Sequence, residues 1–277
     1  MTGGSQHHPG PYPPPLATAE GDEVGALVAL TSLVGMGPRR LRAVLEEWSP
    51  IDAWEALCRG RLQLGRDVST TFGGRLGEWL RRWSEQASQL DPSALLDTCR
   101  RLGVRILAPG AAAYPPRLRD DPDPPHLLYA QGDVRLLEVE AAAIVGTRAA
   151  SAYGLDVAFE LGAALAACGV AVVSGLAAGI DGSAHRGALS VPAGTGPIGV
   201  VGSGLDVVYP KSHLRLWELV AERGLLVSEA PPGVAPEPWR FPSRNRIIAA
   251  LSRAVVVVES PEHGEHRDLP SRSGPTA

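Results

Sequence analysis

Four short loops in the second half of the chain carry the residue types that bind phosphate. They are rich in glycine or polar residues, and they span residues 145–148, 174–181, 202–206 and 241–246. Glycine lets a backbone approach a ligand closely, and the free N–H groups of a helix N-terminus attract anions. Arginine, present in the first and fourth loops, adds a planar guanidinium group that can hold two phosphate oxygens. The loops therefore indicate an anion-binding site.

Basic residues accompany these loops. The chain has 26 lysines and arginines, and Lys211, which follows the third loop, is its single lysine. Arg148 and Arg244 lie in the first and fourth loops. Each feature also has a structural explanation, because glycine turns serve packing, surface arginines are often simply solvated, and Asn245 could cap a helix. The convergence of four such loops on one sheet edge favours binding.

Two glycine patterns suggest a dinucleotide site, and neither has the right context. A literal G-x-G-x-x-G occurs at Gly194, Gly196 and Gly199, but it runs into a predicted strand. The dinucleotide fingerprint instead follows a strand and opens a helix. The glycine pair at residues 202–204 is better placed, but Val207 stands where the third glycine belongs. We therefore predict no dinucleotide cofactor.

Groups that could catalyse a reaction are sparse. Asp181 and His185 lie four residues apart on a predicted helix, but no nucleophile elbow or metal triad accompanies this conceivable hydrolytic pair. Asp181 is equally well explained as an acceptor for backbone N–H groups of the glycine loop. The three cysteines, Cys58, Cys99 and Cys168, show neither disulfide nor metal-ligand spacing. We predict a non-enzymatic protein without a metal or cofactor.

Alternating strands and helices must position the four loops. Short β-branched runs predict strands at residues 141–145, 170–173, 198–201, 225–227 and 254–258, and helices are predicted at 153–168, 181–189, 213–223 and 246–252. Strands that alternate with helices form a mainly parallel sheet that is covered on both faces. The fold class is therefore α/β, a doubly wound, Rossmann-like sheet.

The chain divides into four segments. Residues 1–22 are rich in proline and glycine, and we expect them to be disordered. Residues 23–103 show helical periodicity and predict a small helical domain. Residues 104–259 hold the Rossmann-like domain, which begins with a proline-rich stretch carrying short extended pieces. Residues 260–277 lack an apolar pattern and are expected to form an irregular tail.

Composition limits the possible partners and compartments. Hydrophobic residues make up 44% of the chain, charged residues 20%, and the formal net charge is −4. A nucleic acid would therefore need a local basic patch. No apolar stretch reaches the roughly 18–20 residues that a membrane helix requires, and the N-terminus lacks a secretory signal pattern. We expect a cytoplasmic protein without membrane contact.

Taken together, the loop motifs resemble those of the DNA-processing protein A family, DprA/Smf. The resemblance runs from about residue 25 to residue 259. It rests on Val145-Gly146-Thr147-Arg148, on Ser174 to Asp181 followed by Ala184-His185, on Gly204-Leu205-Asp206 with Tyr209-Pro210, on Ser228-Glu229, and on Phe241-Pro242-Ser243-Arg244-Asn245-Arg246. Each motif alone is a weak signal, whereas the ordered set is highly specific.

The resemblance implies an extended Rossmann domain that binds single-stranded DNA. Family members protect incoming strands during natural transformation, help to load a RecA-type recombinase, and typically dimerise. By position, the resemblance assigns these residues to the single-stranded DNA site: Gly146, Thr147, Arg148, Ser174, Gly175, Gly179, Lys211, Arg244, Asn245 and Arg246. The helical segment is similar to sterile-alpha-motif or helix-hairpin-helix folds, and its turn at residues 35–37 is either a phosphate contact or a packing turn.

The sequence departs from the family pattern after Glu259. Family members continue there with a Ser-Gly-Ser-Leu-Ile-Thr-Ala-like loop, a helix and further strands, whereas this chain continues Ser260-Pro261-Glu262-His263. We interpret the difference as a truncated or frameshifted C-terminal part, which puts dimerisation and recombinase binding in question. Two alternatives to DNA binding follow. One is a truncated, inactive product. The other is a nucleotide sensor or phosphoribohydrolase, although the Pro-Gly-Gly-x-Gly-Thr-x-x-Glu loop of those enzymes is absent.

Overall fold

A seven-stranded sheet forms the centre of the computed structural model, which describes residues 21–65 and 68–260. Its strands are β1 (Arg105–Leu107), β2 (Leu128–Gly132), β3 (Ala141–Val145), β4 (Ala171–Ser174), β5 (Ile198–Val201), β6 (Leu225–Ser228) and β7 (Ala254–Val257). Their spatial order is β1-β2-β6-β5-β4-β3-β7. The strands from β6 to β7 are parallel, and β2 pairs antiparallel with both β6 and β1.

Helices precede the sheet and then alternate with its strands. They are α1 (Gly21–Ser32), α2 (Pro38–Leu45), α3 (Pro50–Cys58), α4 (Ser69–Phe72), α5 (Leu76–Ala87), α6 (Pro92–Arg101), α7 (Pro116–Arg119), α8 (Ala152–Ala167), α9 (Ile180–Ser190), α10 (Leu214–Arg223) and α11 (Arg240–Leu251). Short 3-10 helices span Val134–Leu137 and Lys211–His213. Several helices begin at N-capping residues. Ser49 and Asp91 cap α3 and α6 just before a proline, and the Ser151 hydroxyl accepts the Gly154 N–H at the start of α8.

The two faces of the sheet are covered by different helices. On one face, Ile247 and Leu251 of α11 and Leu118 of α7 pack on the strands. On the other face lie α8 and α9, which contribute Ala158 and Ala184 to a second cluster. Small residues at these positions let the helices approach the β-branched strand surface closely. The prediction of a doubly wound, Rossmann-like α/β fold is confirmed.

Helix α1 connects the helical segment to the sheet. Leu30 belongs to the core that the first helices enclose, whereas Leu27 packs with Leu226 of β6. The Thr31 hydroxyl also lies 2.8 Å from the Tyr129 hydroxyl of β2, and both side chains are buried. The helical segment is thus packed directly against the sheet at its β1–β2 side.

The structure corrects one predicted helix boundary, and it confirms as strands the short extended pieces predicted in the proline-rich stretch. Helix α11 begins at Arg240 and not at residue 246, because proline is tolerated in a first helical turn and Pro242 does not interrupt it. The proline-rich stretch supplies two strands that extend the sheet, with Tyr129 paired to Ser228. The expected disordered tail falls outside the described residues except for residues 21 and 22, which belong to α1. Residues 261–277 of the expected irregular tail also lie outside them.

Among the described residues, no helix is long and apolar enough to cross a bilayer.

Candidate phosphate-binding site

The structure brings the four glycine-rich or polar loops together at the carboxyl edge of the parallel strands. They surround an open pocket of about 570 Å³. Its wall is formed by Arg148, Gly175, Ala177, Ala178, Val201, Gly202, Ser203, Tyr209, Pro210, Pro236, Phe241 and Arg244. This is the edge at which open α/β sheets bind ligands, because helix N-termini and strand ends both point there.

The end of β7 holds the loop that follows β3. The Thr147 N–H donates to the Glu259 carbonyl at 2.8 Å, and the Ser151 hydroxyl donates to a Glu259 carboxylate oxygen at 2.7 Å. The Ser151 N–H also points to both oxygens of that carboxylate at 3.1 Å. Glu259 therefore fixes the loop that presents Arg148. Sequence reasoning missed this role, since Glu259 is distant in the chain and belongs to no recognisable motif.

Two glycines let the loops after β3 and β4 approach each other. Gly179 has φ = 78°, a left-handed conformation that favours glycine, and a Cβ there would lie 2.2 Å from the Thr147 carbonyl oxygen. Gly146 is partly buried against Ile180. Leu176, between the two loop glycines of the second loop, also has a positive φ of 54°. A strained backbone of this kind is typical of loops that are shaped for a ligand.

The polar groups of Ser174, Gly175 and Asp181 form hydrogen bonds within the protein. The Ser174 hydroxyl is buried and donates to the Ile144 carbonyl at 2.6 Å. The Gly175 N–H donates to the Asp181 carboxylate at 3.0 Å. Burial raises the pKa of Asp181, and the nearby Arg244 opposes that shift. The role predicted for Asp181, an acceptor for the glycine loop, matches this geometry.

Arg244 forms part of the pocket wall from a largely buried position. It is 8% exposed, and its Nη1 donates to the Gly175 carbonyl at 2.7 Å and to the Val200 carbonyl. Its Nε donates to the Oδ1 atom of Asn245 at 3.1 Å. Burial lowers the pKa of Arg244, an effect that Asp181 opposes. The guanidinium group thus joins α11 to the ends of β4 and β5, and its hydrogen bonds are directed at the protein.

Arg246 points to a different part of the molecule. Its Nη2 pairs with the Glu229 carboxylate, and its Nη1 donates to the Asp123 carbonyl at 2.5 Å. The side chain is 15% exposed and does not contribute to the pocket wall. Of the three arginines assigned by resemblance, Arg246 is therefore the one that the fold separates from the other two.

Arg148 and Lys211 are the assigned cations that face solvent. Arg148 is exposed, with its guanidinium carbon 5.3 Å from the centre of the Phe241 ring. Lys211 is exposed at the start of the 3-10 helix that follows the third loop. The Tyr209 and Phe241 rings lie 5.5 Å apart, and Tyr209 is 43% exposed. The pocket therefore combines the exposed Arg148 with an aromatic surface, and Lys211 lies exposed next to Pro210 of its wall.

Asp181 and His185 do not form an accessible catalytic pair. Both are buried, and burial lowers the pKa of His185 to about 3. Neither residue lines the pocket. Within residues 21–65 and 68–260, no group of three or more histidine, cysteine or acidic side chains is arranged to hold a metal ion.

Residues 105–264 match a family model described as DNA recombination-mediator protein A. The chain is 39% identical over 235 residues to the DNA processing protein DprA of Mycobacterium tuberculosis, covering 80% of this chain and 56% of the relative. It is 36% identical over 239 residues to the protein Smf of Synechocystis, covering 84% of this chain and 58% of that one. The chain thus spans a little over half the length of these curated relatives.

Two solved structures resemble the fold. The X-ray structure of DNA processing protein A from Streptococcus pneumoniae aligns with a TM-score of 0.62 at 32% identity, over 83% of this chain and 75% of that one. DNA processing protein A from Helicobacter pylori, whose structure describes a single-stranded DNA binding mode, aligns with a TM-score of 0.53 at 31% identity. That alignment covers 58% of this chain and 71% of the other.

Proposed function

Because the chain belongs to the DNA recombination-mediator protein A family, we propose that it binds single-stranded DNA, without sequence preference, in the pocket at the carboxyl edge of the sheet. The observation that carries the proposal is that Arg148 and the Tyr209–Phe241 ring pair line one pocket, with the exposed Lys211 directly after Pro210 of its wall. Basic side chains that follow a phosphate backbone, combined with rings on which bases stack, are the general means of binding single strands.

Each part of the pocket has a defined task in this proposal. Arg148 and Lys211 bind phosphate oxygens through charge-assisted hydrogen bonds. The rings of Tyr209 and Phe241 contact a base, which only an unpaired strand can present. Arg244 is held by the Gly175 and Val200 carbonyls, so its main task is to keep the pocket wall in place. None of these groups reads a base edge selectively, which accounts for the lack of sequence preference.

The same family membership supports a wider role. We infer that the protein protects single strands in the cytoplasm during natural transformation and helps to load a RecA-type recombinase, without enzymatic activity of its own and as a homodimer. The family model's description as a recombination mediator supports the recombinase part of this inference. A strand-exchange assay with a RecA-type recombinase tests it. We expect the protein to shorten the lag before exchange begins on single strands that are already coated with a single-strand-binding protein.

Equilibrium binding to labelled oligonucleotides tests the central proposal. We expect a single strand to bind more tightly than a duplex of the same length, and the affinity to fall steeply between two salt concentrations. Equal affinity for both forms would exclude a site that contacts bases. Turnover of a nucleoside monophosphate by the purified protein would instead favour a hydrolase.

A further inference from the structure

A second pocket adjoins the phosphate-binding site on the side of the helical segment. Its helical wall is formed by Met36, Pro38 and Leu41, and its opposite wall includes Trp239 and Arg240 at the start of α11. The open volume is about 530 Å³. The pocket therefore lies between the turn at residues 35–37 and the sheet, where neither part alone would enclose it.

The two pockets adjoin each other. Val201, Gly202 and Arg244 line both of them. Arg240 packs against Gly202 on this shared wall, where a Cβ at position 202 would lie 3.4 Å from the Arg240 Cβ. A nucleotide bound in the first pocket would therefore have the second pocket beside it.

Trp239 presents an aromatic surface in the second pocket. Its side chain is 39% exposed, and its indole N–H donates to the Glu237 carboxylate at 3.1 Å. The Arg240 guanidinium carbon lies 4.4 Å from the ring centre, and Gly37 packs so close that a Cβ there would be 3.1 Å from the ring. Three fixed neighbours therefore hold the ring in one orientation. A partly exposed but immobilised ring stacks on a flat ligand at little cost in conformational entropy.

The charges around the second pocket disfavour a phosphate. Glu229 lines it, and Glu237 holds the indole N–H beside it. The charged groups here are already engaged within the protein, since the Arg240 Nε donates to Glu237 at 3.1 Å, Glu229 pairs with Arg246, and Arg244 donates to backbone carbonyls. The remaining walls are largely apolar. Such a site fits an uncharged heteroaromatic ring better than an anion.

We propose that the second pocket is a nucleobase subsite, in which a base next to the nucleotide held at Arg148 stacks on Trp239. The inference rests on the proposed binding of single-stranded DNA and adds to it a contribution from the helical segment, whose turn at residues 35–37 forms the far wall. That segment thereby becomes part of the DNA path, through packing and not through a phosphate contact.

Oligonucleotides with and without bases test the subsite. We would measure the affinity of the full chain for oligothymidylate and for an abasic strand of the same length, by fluorescence anisotropy, with the wild type, Trp239→Ala and Trp239→Phe. Loss of one stacking contact is expected to weaken oligothymidylate binding about five-fold or more in Trp239→Ala, with most of the affinity retained in Trp239→Phe. Abasic-strand binding should be the same in all three.

Two controls separate this inference from the proposed function. Phe159→Ala removes an aromatic side chain on α8 that is equally exposed, 39%, but lines neither pocket, and it should bind both strands as the wild type does. Arg148→Ala should weaken the binding of both strands by the same factor. If Arg148→Ala behaves so but Trp239→Ala binds oligothymidylate normally, or loses equal affinity for both strands, the subsite is wrong and the phosphate site stands. If the wild type binds neither strand, both proposals fail.

Discussion

Two arginines of the site illustrate how burial decides what a charged side chain can do. Arg148 is exposed beside the Phe241 ring, so it can exchange its hydration for a phosphate contact. Arg244 is 8% exposed and donates to two backbone carbonyls, at Gly175 and Val200. A buried guanidinium that donates to backbone carbonyls stabilises the fold around it. Substitution by alanine should therefore weaken DNA binding at Arg148 and lower the stability of the fold at Arg244.

Arg148→Ala is expected to weaken binding of single-stranded DNA and to leave the fold intact. Loss of a charge-assisted phosphate contact costs about 1–3 kcal/mol of binding free energy. An exposed side chain whose contact is one cation–π pair, here with Phe241, changes the free energy of unfolding by about 1 kcal/mol or less. Fluorescence anisotropy and chemical denaturation measure the two quantities. Arg215→Ala on α10, which removes another exposed arginine, serves as the control and should change neither greatly.

Arg244→Ala is expected to lower the free energy of unfolding by about 3 kcal/mol or more. The substitution leaves the Gly175 and Val200 carbonyls without their donor and the buried Asp181 without its nearby positive charge, and each unsatisfied buried group costs about 1–3 kcal/mol. Urea denaturation is the measurement. A stability equal to that of Arg148→Ala would show that the buried hydrogen bonds of Arg244 are unimportant.

At the scale of elements, the site depends on loops that meet more closely than side chains would allow. The loops after β3 and β4 touch at Gly179 and Thr147, while Glu259 at the end of β7 holds the first of them from the other side. Helix α11 then closes the pocket with Phe241 at its first turn. The pocket is thus built by the loops after β3, β4 and β5 and by a crossover helix, with the first loop held by the residue that follows β7.

Gly179→Ala is expected to destabilise the protein more than Gly169→Ala does. Both glycines have a left-handed φ, 78° and 81°, where a Cβ costs about 1–2 kcal/mol. At Gly169 nothing lies within 4 Å of the added carbon, whereas at Gly179 it would lie 2.2 Å from the Thr147 carbonyl oxygen. Thermal unfolding of the two variants compares them directly. Equal losses would mean that the loops can separate without cost.

Sequence reasoning captured the elements that local patterns determine. The strands at residues 141–145 and 198–201 have the predicted bounds, because continuous apolar runs between turn signals mark buried parallel strands. The start of α11 lies at Arg240 and not at the predicted residue 246, because a first helical turn tolerates Pro242. The antiparallel pairing of β2 with β6 joins residues about a hundred positions apart, and no local signal encodes it.

The functional assignment of individual arginines was harder to predict for the same reason. In the sequence, Arg244 and Arg246 belong to one short basic motif and look equivalent. In the fold, one donates to β4 and β5 and the other pairs with Glu229 and Asp123, which come from β6 and the proline-rich stretch. Only the tertiary partners distinguish a structural cation from one that can bind a ligand.

At the scale of the whole molecule, two histidines make the stability of the fold depend on pH. Desolvation lowers the pKa of His126, which is half-buried in the wall of the second pocket, to about 4, and it lowers the pKa of the buried His185 on α9 to about 3. The unfolded chain protonates both near the ordinary value of about 6.5. Between these values the unfolded state binds more protons than the folded state, so the histidines reduce stability as the pH falls.

We expect the free energy of unfolding to decrease from about pH 6.5 downward, by on the order of 1 kcal/mol per pH unit for each of these histidines. The raised pKa values of the buried carboxyl groups of Asp181 and Glu229 act in the opposite direction. Comparing the wild type with His185→Asn by urea denaturation across this range therefore isolates one histidine. The free energy of unfolding of the variant should decrease less steeply than that of the wild type as the pH falls. An unchanged slope would mean that His185 is not kept neutral by the fold.

The central claim is that Arg148 and Lys211, at the carboxyl edge of the sheet, are the cations that grip the phosphates of a single strand. The most direct measurement is the salt dependence of single-stranded DNA binding for the wild type and for the Arg148→Ala, Lys211→Ala double variant. Each lost phosphate contact reduces the slope of log K against log salt by about 0.7, so the double variant should be shallower by about 1.4 and weaker at low salt. A double variant with the affinity and slope of the wild type would contradict the account.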